Sequence, residues 1–189
     1  MVQQRQTGPE LQCEDDGPTS ADPREADARD AGAIATQDPE ELTSGKKKAS
    51  AKLTLGEVEA HISANTNSKY VSNALLLCLI WKESGFDPTT KSSASSATGL
   101  MQMTTAAVAD VNRNTPKGVH FEHSEMTDPA LNIACGTYYL DLRIDRAGTV
   151  KAGLNGFGTG PGYADNILTC EKCVPTAQDK QACLNRIHS

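Results

Sequence analysis

Glu83 closes a run, YVSNALLLCLIWKES over 70–84, that is apolar almost all round and stops at Gly85. A carboxyl at the end of such a helix has two reasons to stay protonated. Low-dielectric surroundings disfavour the ionised form, and so does the negative pole of the helix C-terminus. A carboxylic acid held neutral near neutral pH is suited to giving a proton to a glycosidic oxygen. Lys82 opposes that shift only if it is close, and consecutive helical residues do not share a face. Alone the signal is weak, because most glutamates near helix ends are simply solvated.

Further segments bear chemistry downstream. Gly99-Leu100-Met101-Gln102 follows a Ser- and Thr-rich stretch, and Thr104-Thr105-Ala106 comes directly after it. Gly153-Leu154-Asn155-Gly156-Phe157-Gly158 is glycine-rich, and Tyr163-Ala164-Asp165-Asn166-Ile167-Leu168 lies beyond it. A glycosidase that uses water normally needs two carboxyls about 5–9.5 Å apart. Candidate partners for Glu83 are Asp87, Asp110, Asp128 and Asp165. Asp128 is better explained as a helix cap and Asp87 as a turn residue before Pro88. None lies in a second motif.

Six cysteines, Cys13, Cys78, Cys135, Cys170, Cys173 and Cys183, lean toward an oxidising destination. Cys170 or Cys173 is expected to bridge Cys183, while Cys78 and Cys135 either bridge or stay as buried thiols. Cys170, Cys173, Cys183 and His188 make a zinc set only on paper, and no metal is expected. No histidine sits in a motif that supports a nucleophilic cysteine. His120 and His123, with Glu122 and Glu125, read as a polar surface loop. Tyr138 and Tyr139 cannot both face inward from one helix, and one of them can border a sugar-binding groove.

The elements that must position these residues are helical. Thr54 and Glu57 form a capping box for a helix through about His61. The apolar helix spans 70–84, and 86–98 is a short hairpin or irregular loop. Thr104 or Thr105 caps a helix through Val111. Asp128-Pro129 opens the clearest helix, which Gly148 ends. One or two turns follow over 149–155, then a loop at Gly156–Gly162. Final helices cover 163–172 and 176–187, parted by Pro175. The fold class is mainly α, or α+β at most with a small hairpin.

Composition divides the chain at residue 52. Residues 1–52 hold eleven acids, seven bases and four of nine prolines, and all eight aromatics lie beyond them. Such a segment buries too little to offset an ordering cost of roughly 1–2 kcal/mol per residue. It reads as a polar, flexible N-terminal arm, or else a docking arm acting through Asp38–Leu42. Lys46-Lys47-Lys48 is a solvated charge run. Residues 53–189 form the folded domain. A net charge of -6 argues against a general nucleic-acid binder, and no apolar run is long enough to span a membrane.

The order and spacing of the motifs resemble the soluble lytic transglycosylase domain, which is related to goose-type lysozyme. That family's pattern has a catalytic Glu followed by Ser, then Gly-Leu-Met-Gln. An Ala-Tyr-Asn segment in a glycine-rich context and a later Tyr near a helix complete it. The resemblance covers about 70–170. It implies a lysozyme-like domain with a buried catalytic helix, needing no cofactor. It also implies cleavage of the β-1,4 bond between N-acetylmuramic acid and N-acetylglucosamine in peptidoglycan.

The roles implied are Glu83 as general acid and then base, with Ser84 orienting sugar or carboxyl. Met101 and Gln102 line the glycan groove, and Gly99 allows close approach of the backbone. Asn155 matches the Asn of Ala-Tyr-Asn and Tyr163 the later tyrosine. Leu154 and Gly153 depart from the pattern, standing where the family has Tyr and Ala, so a phenolic hydroxyl is lost there.

Met1–Gln6 are not followed by the apolar stretch of a secretory leader. Together with the cysteines, this leads to the expectation of an antibacterial effector. A type VI apparatus would deliver it to a rival's periplasm, and a cognate immunity protein would plug its groove. The alternatives are a phage or secretion-apparatus-associated wall enzyme and a non-catalytic glycan-binding protein on the same fold.

Overall fold

The structure, a computed structural model, describes residues 52–66 and 68–188. The segment read as an arm therefore lies outside the described residues, apart from Lys52. Among those described, seven α-helices follow one another: α1 (Leu55–Asn65), α2 (Asn73–Ser84), α3 (Thr105–Asn114), α4 (Pro129–Ala147), α5 (Val150–Phe157), α6 (Tyr163–Cys173) and α7 (Lys180–Asn185). Short 3-10 turns lie at His123–Glu125, Val174–Thr176 and Arg186–His188.

Local chemistry sets most helix ends. The Thr54 hydroxyl accepts from the Glu57 amide at 3.3 Å, and the Glu57 carboxylate accepts from the Thr54 amide at 2.7 Å. This reciprocal box starts α1, which runs past His61 to Asn65. Ser72 caps α2, so that helix opens at Asn73 rather than residue 70. Thr104 caps α3, and Asp128 caps α4 ahead of Pro129. Gly85 and Gly148 end α2 and α4 in the left-handed conformation, at φ 57° and 79°. The expected last helix is shorter than 176–187. Asp179 caps α7 through the Ala182 amide, and 3-10 turns flank the helix.

Six consecutive residues of α2, Leu75–Ile80, are buried. A helix apolar on every side must be enclosed on every side, and α1 and α6 pack against it. Leu53 donates its amide to Phe86 O at 2.9 Å, which places the start of α1 beside the end of α2. The two helices are therefore antiparallel. Between α2 and α3, Thr98 and Met103 exchange both backbone hydrogen bonds, and Lys91 pairs with Thr98. These isolated pairings are all that appears of the small hairpin among the described residues.

α5 folds back along α4. A Cβ at Gly153 would stand 2.5 Å from Ile144 Cγ1, so only glycine permits this approach. Two disulfides secure the C-terminal region. Cys173–Cys183 joins α6 to α7, one of the two expected alternatives. Cys78 departs from expectation, since its partner is Cys170 on α6 rather than Cys135. Cys135 is a buried thiol whose pKa burial pushes up to about 12, so it is inert as a nucleophile. All three cysteines of the paper zinc set are in disulfides and cannot hold a metal.

Candidate active site

Glu83 occupies the last turn of α2 and is half-buried. The phenolic hydroxyl of Tyr163, the first residue of α6, donates to Glu83 Oε1. Burial raises the pKa of the Glu83 carboxyl; the Tyr163 hydrogen bond and the Lys82 charge pull it partly back. Tyr163 is 5% exposed and its own pKa is raised, by burial first and by the neighbouring carboxylate second. The phenol therefore stays protonated and acts as a fixed donor. The arrangement supplies a carboxyl that keeps its proton to higher pH than an ordinary glutamate, with a hydrogen bond that holds its orientation.

Tyr163 reaches Glu83 because two other features put it there. The Cys78–Cys170 disulfide ties the same two helices, α2 and α6, with Cα atoms 6.0 Å apart. Since Glu83 follows Cys78 while Tyr163 precedes Cys170, α2 and α6 run antiparallel. The second feature is Gly158, whose added Cβ would come within 2.5 Å of Tyr163 Oη and closer still to the ring. Gly158 thus leaves the space that the phenol fills.

The Gly-Leu-Met-Gln segment is anchored on α4 and on the loop that precedes it. Gly99 takes φ 82°, and a Cβ there would strike Met126 O and lie 3.0 Å from Asn132 Cγ. The backbone approach it permits is thus to the protein's own α4. Met101, expected in the groove wall, is fully buried against Gly136 of α4. Its apolar side chain contributes to the core, which corrects that expectation. Gln102 is half-buried at φ 49°, and its amide donates to Thr90 O at 3.1 Å and Gly99 O at 2.9 Å. The Ser84 hydroxyl turns back to Ile80 O at 3.1 Å and so serves the end of α2. Asn155 is exposed on α5. Leu154, where the resemblance calls for Tyr, is fully buried.

Asn132 escaped the sequence reading. It is fully buried, accepts from the Met101 amide at 2.7 Å, and donates to Thr98 O and Met126 O at 3.0 and 2.9 Å. One side chain thus ties both ends of the stretch 98–101 to α4. The available signal was an asparagine on the buried stripe Asn132, Gly136, Leu140, Ile144, where a polar side chain must find hydrogen-bond partners.

The four candidate second acids all have other partners. Asp87 accepts from the Thr89 amide at 2.8 Å, and Asp128 caps α4. Asp110 is paired with Arg146 and Arg113, and Asp165 with Lys151 at 2.6 Å.

The described residues thus form a helical domain whose central helix ends in a half-buried acid bonded to a tyrosine. Residues 60–169 match the family model for the Transglycosylase SLT domain, and the chain belongs to that family. It is similar to the 70 kDa soluble lytic transglycosylase Slt70 from Escherichia coli at 18% identity and a TM-score of 0.49, over 68% of this chain and 22% of that one. It is also similar to the lytic transglycosylase Slt from Pseudomonas aeruginosa, solved as an inactive mutant. There the identity is 16% and the TM-score 0.41, over 71% of this chain and 20% of that one. The chain spans about a fifth of the length of those two proteins. Comparison with curated proteins gives no match.

Proposed function

We propose that this chain cleaves the β-1,4 bond between N-acetylmuramic acid and N-acetylglucosamine by a single-acid route, with Glu83 in both proton-transfer roles. The observation that carries this reading is the raised, Tyr163-bonded carboxyl at the end of α2. Protonated Glu83 donates to the glycosidic oxygen as the bond from that oxygen to C1 breaks, aided by the substrate's own acetamido oxygen. The resulting carboxylate then takes the proton from the muramic 6-hydroxyl as that oxygen bonds to C1. A 1,6-anhydro ring forms, the acid is regenerated, and no water is consumed. The separate occupations of Asp87, Asp110, Asp128 and Asp165 support this route over one needing a second carboxylate.

Mass spectrometry of muropeptides released from purified sacculi tests the route, because hydrolysis adds the mass of water and anhydro formation does not. Reducing-end products alone would overturn it. Undiminished release by Glu83→Gln would remove the catalytic assignment itself.

The site of action in this reading is the periplasm of a target bacterium, with the protein acting as an antibacterial effector. Two disulfides, one of them joining the helices of the acid and its donor, suit an oxidising compartment. A cognate immunity protein would occlude the groove at Glu83. Expression in a sensitive host with and without an export signal tests the compartment. Growth arrest only on export is expected, and equal arrest from the cytoplasm would count against it.

A further inference from the structure

The face of α4 turned away from α5 carries a second concavity, remote from Glu83. Along α4, Tyr139, Arg143 and Ile144 meet α5: Tyr139 packs on Phe157, and Arg143 and Ile144 approach Gly156 and Gly153. Ala134, Tyr138, Asp141 and Asp145 are spaced i, i+4, i+7 and i+11, which puts them on one stripe on the opposite side of the helix. Between that stripe and the C-terminal end of α1 lies a cavity of about 330 Å³. Asn65 and Thr66 line it from the α1 end, and Thr137, Tyr138 and Asp141 from α4.

This cavity is not the catalytic groove. The start of α1 lies beside the end of α2 that bears Glu83, through Leu53 and Phe86. The cavity is at the other end of α1, which at 1.5 Å per residue is on the order of 15 Å along the helix.

Its lining has the chemistry of a sugar subsite. Tyr138 is 40% exposed although its neighbours on the chain, Thr137 and Tyr139, are buried or half-buried. Its ring is braced by Phe121 at 6.1 Å between centroids, so it stands as a fixed apolar plate at the rim. The Asp141 carboxyl is half-buried and fixed by the Ser68 hydroxyl at 2.6 Å. A plate for the apolar face of a pyranose, beside a carboxylate and an amide for hydroxyl and acetamido groups, is a combination that recognises an uncharged amino sugar. The volume falls at the low end of small-ligand sites, about 300–1,000 Å³.

A second observation points to the same face. Among the described residues the exposed large hydrophobic side chains are Tyr70 and Tyr138. Tyr70 belongs to the same surface, since its hydroxyl donates to Asp145 one turn beyond Asp141. Lys69 covers the Tyr70 ring, 4.6 Å from its centroid. The two exposed tyrosines, Tyr138 on α4 and Tyr70 bonded to it through Asp145, thus lie along one stripe of that helix.

We infer that this cavity is a secondary glycan-binding site, which takes an N-acetylhexosamine unit of a strand while Glu83 acts elsewhere on the polymer. The inference rests on the glycan substrate proposed above. A remote subsite holds the enzyme on an insoluble wall between cuts by raising the effective concentration of strand at the groove.

The full chain carrying Glu83→Gln, which binds without cutting, tests the inference with purified sacculi and with chitotetraose as probes. Adding Tyr138→Ala should weaken sacculus binding about tenfold, whereas Tyr138→Phe, which keeps the ring, should not. Chitotetraose should shift the amide resonances of Thr66, Thr137 and Asp141 in the Glu83→Gln chain, and these shifts should vanish with Tyr138→Ala. In the active enzyme Tyr138→Ala should lower release from sacculi while leaving turnover of a short soluble muropeptide unchanged. Equal binding by Tyr138→Ala and its parent would overturn the site. So would a matching loss on the short substrate, which would place Tyr138 in the catalytic groove. Failure of the unmutated chain to cut either substrate would strike the proposed function instead, and the resonance shifts would still decide the subsite.

Discussion

Gly158 lies against Tyr163 so closely that any side chain there displaces the phenol from Glu83. Its backbone, at φ -114°, is open to every residue, so glycine is required by the neighbouring ring and not by torsion. Gly158→Ala is therefore expected to lower kcat at least about tenfold, with overpacking costing about 1–3 kcal/mol of stability. The pH profile of kcat/KM separates this from general damage. Loss of the Tyr163 donor lifts the Glu83 pKa and moves the alkaline limb to higher pH, whereas a purely structural defect lowers activity evenly.

Tyr163→Phe tests the same contact without crowding. The hydrogen bond favours ionised Glu83, so its removal raises the carboxyl pKa further and again shifts the alkaline limb upward. Peak activity should fall about tenfold, because the carboxyl loses the bond that orients it. An alkaline limb that stays in place or moves to lower pH would show that Tyr163 does not govern the acid.

Glu83→Gln makes a stability prediction opposite in sign to its effect on activity. The folded-state pKa of Glu83 lies above its ordinary value of 4.5, so the fold favours the protonated form. The stability contributed by this site is whole below the ordinary value and is lost as pH rises through the raised one. Glutamine does not titrate. The Tm of Glu83→Gln relative to the parent should therefore climb from acid to neutral pH, while activity falls about 10²–10⁴-fold. A flat Tm difference across that range would show that the carboxyl is not desolvated.

The two disulfides should differ in worth. Cys78–Cys170 closes a separation of 92 residues and Cys173–Cys183 one of 10. Chain entropy then makes loss of the first more costly by about 2 kcal/mol. Urea unfolding of Cys78→Ala/Cys170→Ala against Cys173→Ala/Cys183→Ala measures this. Only the first pair should also reduce turnover, since only that disulfide spans the helices of Glu83 and Tyr163.

Features fixed within a few residues could be read directly from sequence. The capping box at Thr54 and Glu57, the stop at Gly85, the Asp128-Pro129 start and the Gly148 end are of this kind. The enclosure of α2 followed from its uniform apolarity. What the sequence concealed depends on residues far apart in the chain. Cys78 offered no sign that its partner was Cys170, because the pairing needs α6 laid antiparallel on α2. Met101 sits in the motif expected to line a groove, yet its side chain points into α4. The deciding neighbours, Gly136 and Asn132, come more than 30 residues later. The Tyr163–Glu83 contact was hidden for the same reason, with Gly158 visible only as one glycine of a loop.

The pairing of α2 with α6 has one last consequence. Cys78–Cys170 and Glu83–Tyr163 are two rungs across the same antiparallel helices. Along α6 they are seven residues apart, on the order of 10 Å. A single rung would leave the helices free to pivot, but two rungs remove both pivot and slide. The disorder lost in aligning the acid with its donor is therefore lost once, when the disulfide forms, and not again at each catalytic cycle.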